Sequence, residues 1–471
     1  MSNDARQPLE ERGQNRSQRP TSEEFLAYMG GGWDDQPATL PAASEAAPFA
    51  AARRAKVAKR FAGELVIIDA GPTLARSNDT EYRYRPHSAF AHLTGWGVAA
   101  VPDSTLVIDA RAGAAKAKSI LFLRETAGKG VREFFGDSLV GEFWVGKRPS
   151  LEEVAALLDI ETRSLKELPQ FLADNQGGLT LEDIDVVEFV SELRIIKDAY
   201  EIAEMQKAVD ATIHGFDAIA RILPETIGKP RGERMIEAAF FGQARVHGND
   251  VGYETIAAAG SHACILHWMR NDGEVRDGEL VLVDAGVEVD SFYTADVTRT
   301  MPANGKFSSV QLEIYNAVLA AADAVFEMAK PGVTYKEMHA TAMRKVAEFT
   351  HSWGMLPGTV EESLDIKFQY HRRWMVHGTG HHLGLDVHDC AQARRETYHE
   401  AQLEPGMIFT IEPGLYFHEN DLLAPERFRG IGVRIEDDVL VTADGVVNLS
   451  AALPRKAEEI EAWMASQQRG R

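Results

Sequence analysis

The chain has 471 residues, 45% of them hydrophobic and 26% charged, a composition typical of a globular protein with two or three domains. Its two cysteines, Cys264 and Cys390, are too few for a disulfide framework or a thiolate zinc cage, so we expect a cytoplasmic location. The net charge of −21 argues against nonspecific binding to nucleic acid or to an anionic membrane. No stretch approaches the roughly 18–20 apolar residues of a membrane span, and residues 1–20 lack the apolar segment of a signal peptide.

The chain begins with a polar segment that is poor in periodic apolar residues. Residues 1–45 therefore predict an extended or flexible N-terminal arm, although Phe25 and Trp33 leave open that the arm clasps another subunit. Residues 46–190 predict an α/β domain, because short apolar runs alternate with helical segments. The strands and helices predicted for this domain cover 65–69, 105–109, 119–123, 47–61 and 165–174.

Residues 191–471 predict a second domain. Apolar residues at helical spacing over 192–223 indicate a long amphipathic helix at its beginning. Further helices are predicted over 231–246, 308–329 and 335–353, and strands over 280–284, 292–300, 407–412 and 430–442.

One pattern occurs twice in this second domain. In 278–286 and again in 406–414, a glycine precedes five mostly apolar residues, and an acid, Asp284 or Glu412, follows them. A second glycine lies two positions after each acid. A turn–strand–turn unit can recur by chance, but two strands that each end in an acid favour two pseudo-symmetric halves that meet at a shared site.

Four acids and one histidine are candidates for a metal centre. Asp284 and Asp296 lie 12 residues apart across a predicted hairpin, Glu412 and Glu436 lie on or beside apolar strands, and His381 supplies an imidazole. Buried acids are costly unless a positive charge neutralises them, and two divalent cations would balance four carboxylates. Oxygen ligands with one imidazole suit manganese, cobalt or zinc. A metal pair activates a bridging water and polarises a carbonyl, which is the chemistry of hydrolysis.

Each candidate also has an ordinary structural explanation. A single acid at a strand end is usually a turn or cap residue, and a single histidine usually packs. Glu436, followed by two more acids, is also compatible with a solvated acidic run. The joint pattern favours the metal centre, because the residues around each candidate are themselves distinctive.

Several ordered motifs carry a resemblance to a known family. They lie at 264–268 (CILHW), 280–286 (LVLVDAG), 294–308 (TADVTRTMPANGKFS), 377–389 (HGTGHHLGLDVHD), 411–416 (IEPGLY) and 429–442 (RGIGVRIEDDVLVT). The chain thereby resembles the aminopeptidase P and prolidase group of pita-bread metallopeptidases. The resemblance implies an α/β (α+β) fold class, with an N-terminal creatinase-like α/β domain followed by a C-terminal pita-bread catalytic domain with pseudo-two-fold halves. Residues 77–96 are similar to the N-terminal domain of the same group.

The resemblance also assigns site residues. It implies two divalent metal ions, manganese in preference to cobalt or zinc, with the ligands Asp284, Asp296, His381, Glu412 and Glu436. It implies that the domain over 46–190 is non-catalytic and that His267, His377 and His388 face the substrate. Glu412, as a ligand beside the bridging water, is our candidate for transferring the proton, and His388 for donating a hydrogen bond to the oxyanion. Arg434, two residues before Glu436 and so on the same strand face, is expected to orient ligand carboxylates, with Tyr416 as a candidate partner. One departure from the family pattern is that the segment from Asp284 to Asp296 is one residue longer than usual, which leaves the loop beside the site undefined.

The activity implied by the resemblance is removal of the N-terminal residue from peptides with proline at the second position. A prolidase, which cleaves only Xaa-Pro dipeptides, would share the metal site and remains an alternative. An inactive pita-bread module that binds peptides is a third possibility, although such relatives lose the ligands that this chain retains. The family also implies a homodimer or homotetramer.

Overall fold

The computed structural model describes residues 20, 22–34, 39–78 and 80–469, so most of segment 1–21 of the predicted arm lies outside the described residues. The chain divides into two compact units, and the boundary falls between Val187 and Glu188. Among the described residues, no helix is both long and apolar enough to cross a membrane.

Part of the predicted arm is helical. Glu23–Gly30 forms helix α1, and the Phe25 ring packs edge-on against Phe135 with centroids 5.3 Å apart. The Trp33 ring contacts Phe134 in the same way at 5.6 Å. These aromatic side chains contact their own chain, and the segment is helical, not extended, over residues 23–30.

A four-stranded sheet forms the centre of the first unit. The strands of this unit are β1 (Leu65–Asp69), β2 (Ala75–Ser77), β3 (Thr80–Glu81), β4 (Thr105–Asp109), β5 (Lys118–Leu123) and β6 (Glu161–Ser164). Its remaining helices are α2 (Ala47–Arg60), α3 (Ser88–Thr94), α4 (Arg132–Gly136), α5 (Glu142–Val145), α6 (Leu151–Leu158), α7 (Leu168–Asp174) and α8 (Ile184–Glu192), of which α8 crosses the boundary. The sheet order is β1–β4–β5–β6, antiparallel except for the parallel pair β5 and β6. The predicted strands match β1, β4 and β5 to within one residue.

The second unit contains long helices and several small antiparallel sheets. Its helices are α9 (Ala199–Thr226), α10 (Gly232–His247), α11 (Ser309–Met328), α12 (Tyr335–Ser352), α13 (Val360–Leu364), α14 (Arg395–Tyr398) and α15 (Ala457–Arg469). Its strands are β7 (Asp250–Val251), β8 (Ile256–Ala259), β9 (Leu280–Ala285), β10 (Val287–Glu288), β11 (Val297–Pro302), β12 (Ile408–Ile411), β13 (Gly414–Phe417), β14 (Ile431–Arg434), β15 (Asp437–Val441) and β16 (Val446–Asn448).

Helix α9 begins later than the apolar periodicity predicts. Its start is fixed by Asp198, whose side chain accepts a hydrogen bond from Glu201 N at 3.1 Å, while the Glu201 side chain accepts one from Asp198 N at 2.9 Å. This reciprocal pair satisfies backbone N–H groups that the first helical turn leaves free. The residues between 192 and the cap therefore stay outside the long helix.

Asp284 and Glu412, the two acids of the recurring sequence pattern, lie at the ends of corresponding strands in two sheets. Strand β9 lies between β8 and β11, whereas β12 pairs with β15, which pairs with β16. The strand predicted over 430–442 is divided, because β14 pairs with β13 and β15 pairs with β12. Glu436 occupies the junction between β14 and β15. The recurring sequence pattern thus marks two strands whose acidic ends face a common region.

Candidate metal centre and active site

One cavity of about 370 Å³ in the second unit is lined by every residue that the sequence assigned to the site. These residues are Asp284, Asp296, His381, Glu412, Glu436, His267, His377, His388 and Arg434. Side chains from both halves of the recurring pattern therefore face one space.

Asp284 and Asp296 lie side by side. Asp284 of β9 is paired with Thr298 of β11, and Asp296 lies two residues before Thr298. Because side chains alternate along a strand, these three residues point to the same side of the sheet. The Tyr253 hydroxyl lies 2.6 Å from Asp284 Oδ1 and also hydrogen-bonds an Asp296 oxygen. Tyr253 thus links the two acids.

The long connection between the two aspartates forms a hairpin tip outside the cavity lining. Phe292 has a φ of +71°, a left-handed conformation that is rare for a bulky side chain. Ser291 donates a hydrogen bond to Glu204 of α9 at 2.6 Å. Tyr293 donates another to Glu201 at 2.9 Å. The longer segment is therefore held against α9, away from the metal-centre candidates.

His381 and Glu412 come from adjacent backbone segments. Thr410 N donates to the His381 carbonyl at 2.9 Å, and His381 N donates to Thr410 Oγ1 at 3.1 Å. The His381 Nε2 atom lies 3.6 Å from Glu412 Oε1 and 3.2 Å from Asp296 Oδ2. Its Nδ1 atom lies 3.1 Å from the His382 carbonyl oxygen, which can only accept a hydrogen bond. The proton therefore belongs on Nδ1, which leaves Nε2 free to bind a metal.

Glu436 and Arg434 share a hydrogen-bond partner. Thr298 Oγ1 donates to a Glu436 oxygen at 2.6 Å and lies 3.1 Å from Arg434 Nε. Arg434 also donates to the Tyr416 hydroxyl at 3.1 Å and forms an ion pair with Asp284. Arg434 thus contacts both a candidate ligand carboxylate and the Tyr416 hydroxyl.

The run of three acids beginning at Glu436 is buried. Glu436, Asp437 and Asp438 are 2%, 0% and 0% exposed. Glu436 faces the cavity, Asp437 pairs with Arg299 at 2.7 Å, and Asp438 accepts a hydrogen bond from Asp296 N at 3.1 Å. The alternative of a solvated acidic run is therefore wrong.

Crowding of acids makes the cavity suited to cations. Burial, reinforced by the charges of neighbouring acids, raises the pKa of Glu436 well above its usual range and that of Glu412 to about 7. Burial likewise raises the pKa of Asp284. Burial disfavours protonated His381, but the hydrogen bond with Asp296 and the charge of Glu412 raise its pKa to about 9. A bound divalent metal would supply positive charge here, and the donor set of carboxylate oxygens and one imidazole fits it.

Three of the five candidate ligands form a tight group. One ligand atom each from Asp296, His381 and Glu436 lie within 4.8 Å of one another. Asp284 and Glu412 line the same cavity but lie outside this group: Asp284 forms an ion pair with Arg434, and Glu412 lies 3.6 Å from both His377 Nδ1 and His381 Nε2. The arrangement therefore fits a metal at the tight group with two further carboxylates beside it.

Three other histidines surround these acids. His377 Nε2 lies 2.8 Å from the Tyr416 hydroxyl, and burial lowers the pKa of His377 to about 3, so the ring is neutral. The His388 ring packs edge-on against His381 with centroids 4.5 Å apart. His267 is exposed and lies on the loop after β8. All three are positioned to meet a molecule in the cavity.

Sequence reasoning missed Tyr253, which contacts two of the candidate ligands. Tyr253 belongs to an irregular segment with no periodic pattern. The available signal is the preceding Gly252, where an added Cβ would lie 1.8 Å from Thr294 Oγ1. A glycine at such a close backbone approach indicates tight packing but not which side chain follows it.

Two family models match the chain. The model described as "Aminopeptidase P, N-terminal domain" matches residues 50–180. The model described as "Metallopeptidase family M24" matches residues 203–443, which is more than half of the chain and includes all five candidate ligands. The chain belongs to metallopeptidase family M24.

Members of family M24 align along nearly the whole chain. Xaa-Pro aminopeptidase 1 of Streptomyces coelicolor is 46% identical over 94% of this chain and 92% of its own. Xaa-Pro aminopeptidase of Escherichia coli is 33% identical, over 89% and 97% respectively. The low-pH structure of aminopeptidase P from E. coli is similar with a TM-score of 0.79 at 31% identity, covering 91% of this chain and all of that one. The predicted resemblance to aminopeptidase P and the predicted fold class are confirmed.

Proposed function

We propose that this protein removes the N-terminal residue from peptides whose second residue is proline. Membership of family M24 makes it a metal-dependent exopeptidase, and the relatives quoted above are named Xaa-Pro aminopeptidases. The observation that carries the proposal is the single cavity in which four acids and one imidazole face each other. That donor set is retained in full, which argues against an inactive peptide-binding module.

The proposed cofactor is a pair of divalent metal ions, manganese in preference to cobalt or zinc. The proposed ligands are Asp284, Asp296, His381, Glu412 and Glu436. When bound, such a pair polarises the scissile carbonyl and lowers the pKa of a water molecule. The support for two ions is the number of buried carboxylates, because one divalent ion would leave negative charge uncompensated.

Two side chains of the cavity are assigned to the chemical step. Glu412 accepts the proton of the attacking water and passes it to the departing proline nitrogen, because its carboxylate lines the cavity beside His381. His388 donates a hydrogen bond to the oxyanion of the tetrahedral intermediate, because its exposed ring borders the cavity beside His381.

Three side chains are assigned to binding and orientation. His377 and His267 hold the proline and the peptide beyond it. Arg434 holds the carboxylate of Asp284 in place, supported by Tyr416. The nitrogen of a peptidyl proline carries no hydrogen, so a site that depends on a hydrogen bond from this N–H loses a contact. A site that fits the proline ring can still recognise the peptide bond before proline.

A chelation experiment tests the proposal. The enzyme is stripped of metal, and manganese, cobalt or zinc is added back before assay with an Xaa-Pro dipeptide and an Xaa-Pro-Xaa tripeptide. We expect manganese to restore cleavage of the tripeptide most fully. Cleavage of the dipeptide alone would favour the prolidase alternative, and failure of every metal to restore turnover would refute the proposal.

We also propose an oligomeric state and a cellular location for this protein. A homodimer or homotetramer follows from the family resemblance, and light scattering after gel filtration measures it. The cytoplasm is the proposed location, because Cys264 and Cys390 are both buried free thiols, which suits a reducing compartment.

A further inference from the structure

A buried carboxylate outside the metal centre lies beneath the loop that carries His267. This loop, residues 260–273, connects β8 to the segment before β9 and is called here the His267 loop. Glu233, in the first turn of α10, is 0% exposed and is not among the residues that line the cavity. Burying an ionised carboxylate is costly unless hydrogen-bond donors satisfy it. The hydrogen-bond donors around Glu233 therefore show which segment of the chain its carboxylate keeps in place.

Four donors converge on the Glu233 carboxylate. Its Oε1 atom accepts a hydrogen bond from Ala259 N at 2.8 Å and lies 2.7 Å from His262 Nδ1. Its Oε2 atom accepts hydrogen bonds from Trp268 Nε1 at 2.8 Å and from Gly273 N at 2.6 Å. One side chain thus ties both ends and the middle of the His267 loop to α10.

Two of the contacts of Glu233 lie in the middle of the His267 loop, at His262 and at Trp268, which is next to His267. The rings of His262 and Trp268 stack with centroids 3.8 Å apart and planes 24° apart, so Glu233 holds them as a pair. His267 immediately precedes Trp268, and Leu266 and Met269 on either side also line the cavity. A fixed indole at Trp268 therefore determines where the adjacent imidazole points.

We infer that Glu233 is a positioning residue for peptide binding, which acts through Trp268 and His262 on the placement of His267. It does not touch the substrate, and its contribution is the geometry of the His267 loop. The inference rests on the proposed role of His267 in holding the peptide.

The main test is Glu233→Gln combined with His267→Ala. Glutamine keeps the size of the side chain, but its NH₂ group cannot accept from Ala259 N or, in the other orientation, from Trp268 Nε1 and Gly273 N, so at least one of the four hydrogen bonds is lost. A misplacement of about 1 Å costs on the order of 100-fold in rate, so we expect kcat/KM for an Xaa-Pro-Xaa tripeptide to fall at least about tenfold. The loss should lie mainly in KM, with wild-type metal content. In the His267→Ala background, Glu233→Gln should add less than about twofold, because residues that act through one contact are not additive.

Two further variants separate positioning from general instability. Ile460→Val alters a buried residue of α15 in the core cluster, so it should lower Tm and leave KM unchanged. Trp268→Phe removes a single donor and keeps an aromatic ring, so it should raise KM less than Glu233→Gln does. It also serves as the test if Glu233→Gln does not fold.

The outcomes that overturn the inference are distinct from those that overturn the proposed function. Wild-type KM in Glu233→Gln or, where that variant does not fold, in Trp268→Phe would overturn the inference, as would multiplicative losses in the double variant. Wild-type kcat/KM in His267→Ala alone would refute the peptide-binding role of His267, and the inference would fall with it. Loss of metal from Glu233→Gln would show that the carboxylate supports the metal centre instead.

Discussion

Replacement of Arg299 by methionine should destabilise the second unit by at least about 3 kcal/mol. Arg299 lies on β11 next to Thr298, and its side chain is buried. Its guanidinium donates to Asp437 Oδ1 at 2.7 Å. It also donates to the backbone carbonyls of Thr298, Glu436, Leu453 and Pro454. Methionine keeps much of the length of the side chain and removes all of these donors.

The size of this loss of stability depends on the partners that Asp437 keeps in Arg299→Met. Removing one partner of a buried ion pair costs about 3–5 kcal/mol, because it leaves a buried charge without compensation. Asp437 keeps a hydrogen bond from Ser450 at 2.6 Å and an ion pair with Arg455 at 3.4 Å, so the lower end of that range applies to the ion pair. The hydrogen bonds lost by the backbone carbonyls make about 3 kcal/mol a minimum. A loss of about 3 kcal/mol corresponds to a decrease in Tm of about 6 °C in a unit of this size.

Thermal unfolding of the metal-free protein measures this effect. A chelator is included, because bound metal would add its own stabilisation to the folded state. The matched control is Arg427→Met, which breaks an exposed ion pair with Glu313 at 3.1 Å and should cost less than about 1 kcal/mol. The double variant Arg299→Met/Asp437→Leu should recover part of the loss, because it removes the buried charge as well.

Two results would refute this reasoning. The first is a Tm for Arg299→Met within about 2 °C of the wild type, which would mean that the guanidinium contributes little. The second is a double variant no more stable than Arg299→Met, which would place the loss in the backbone contacts and not in the uncompensated carboxylate.

Three further predictions concern the cavity. Glu436→Gln or Asp296→Asn should abolish turnover and lower metal content measured by atomic emission. In chelator, Glu436→Gln should keep at least the wild-type Tm, because burial already favours the uncharged form of this carboxyl by raising its pKa. Full activity of either variant would remove that residue from the ligand set. Tyr253→Phe should lower kcat/KM about 10- to 100-fold, since it removes the group that links two acids, and an unchanged value would show that the link is dispensable. In chelator, stability should fall as the pH rises towards about 8, because folding raises the pKa of Glu412 to about 7. The stabilisation that comes from the protonated Glu412 carboxyl is fully present below the pKa of the unfolded state and is lost as the pH rises through the pKa of the folded state. Tm measured against pH should show a smaller fall in Glu412→Gln, and an equal fall would contradict this assignment.

Two of the candidate ligands, Asp284 and Glu412, can be proposed from local sequence patterns alone. Strands β9 and β12 are apolar runs bounded by glycines, and the acid after each run is visible without knowledge of the fold. The hairpin between Asp284 and Asp296 was predicted for the same reason, but its second strand begins at Val297 and not at 292. The left-handed Phe292 and the contacts of Ser291 with α9 keep the intervening residues out of the sheet.

The supporting polar residues were not predictable, because their partners are distant in sequence. Glu233 meets the His267 loop, Tyr253 meets Asp284, and Arg299 meets Asp437. Nothing in the residues around Glu233 or Arg299 distinguishes them from charged residues on a helix or strand exposed to water. Their roles arise only when tertiary packing removes water from the carboxylates they contact.

The three buried acids that begin at Glu436 also limit which insertions, deletions and substitutions this segment can accept. Each acid meets a different environment, so deleting one residue just before the run would place Asp437 where Glu436 meets the cavity, and inserting one there would place Glu436 where Asp437 meets Arg299. Both the identity and the spacing of these acids are therefore constrained. The hairpin tip around Phe292 lies outside the cavity lining, but it is anchored to α9 and buries Phe292 and Tyr293, so a change of length there would disturb the core and not the candidate ligands.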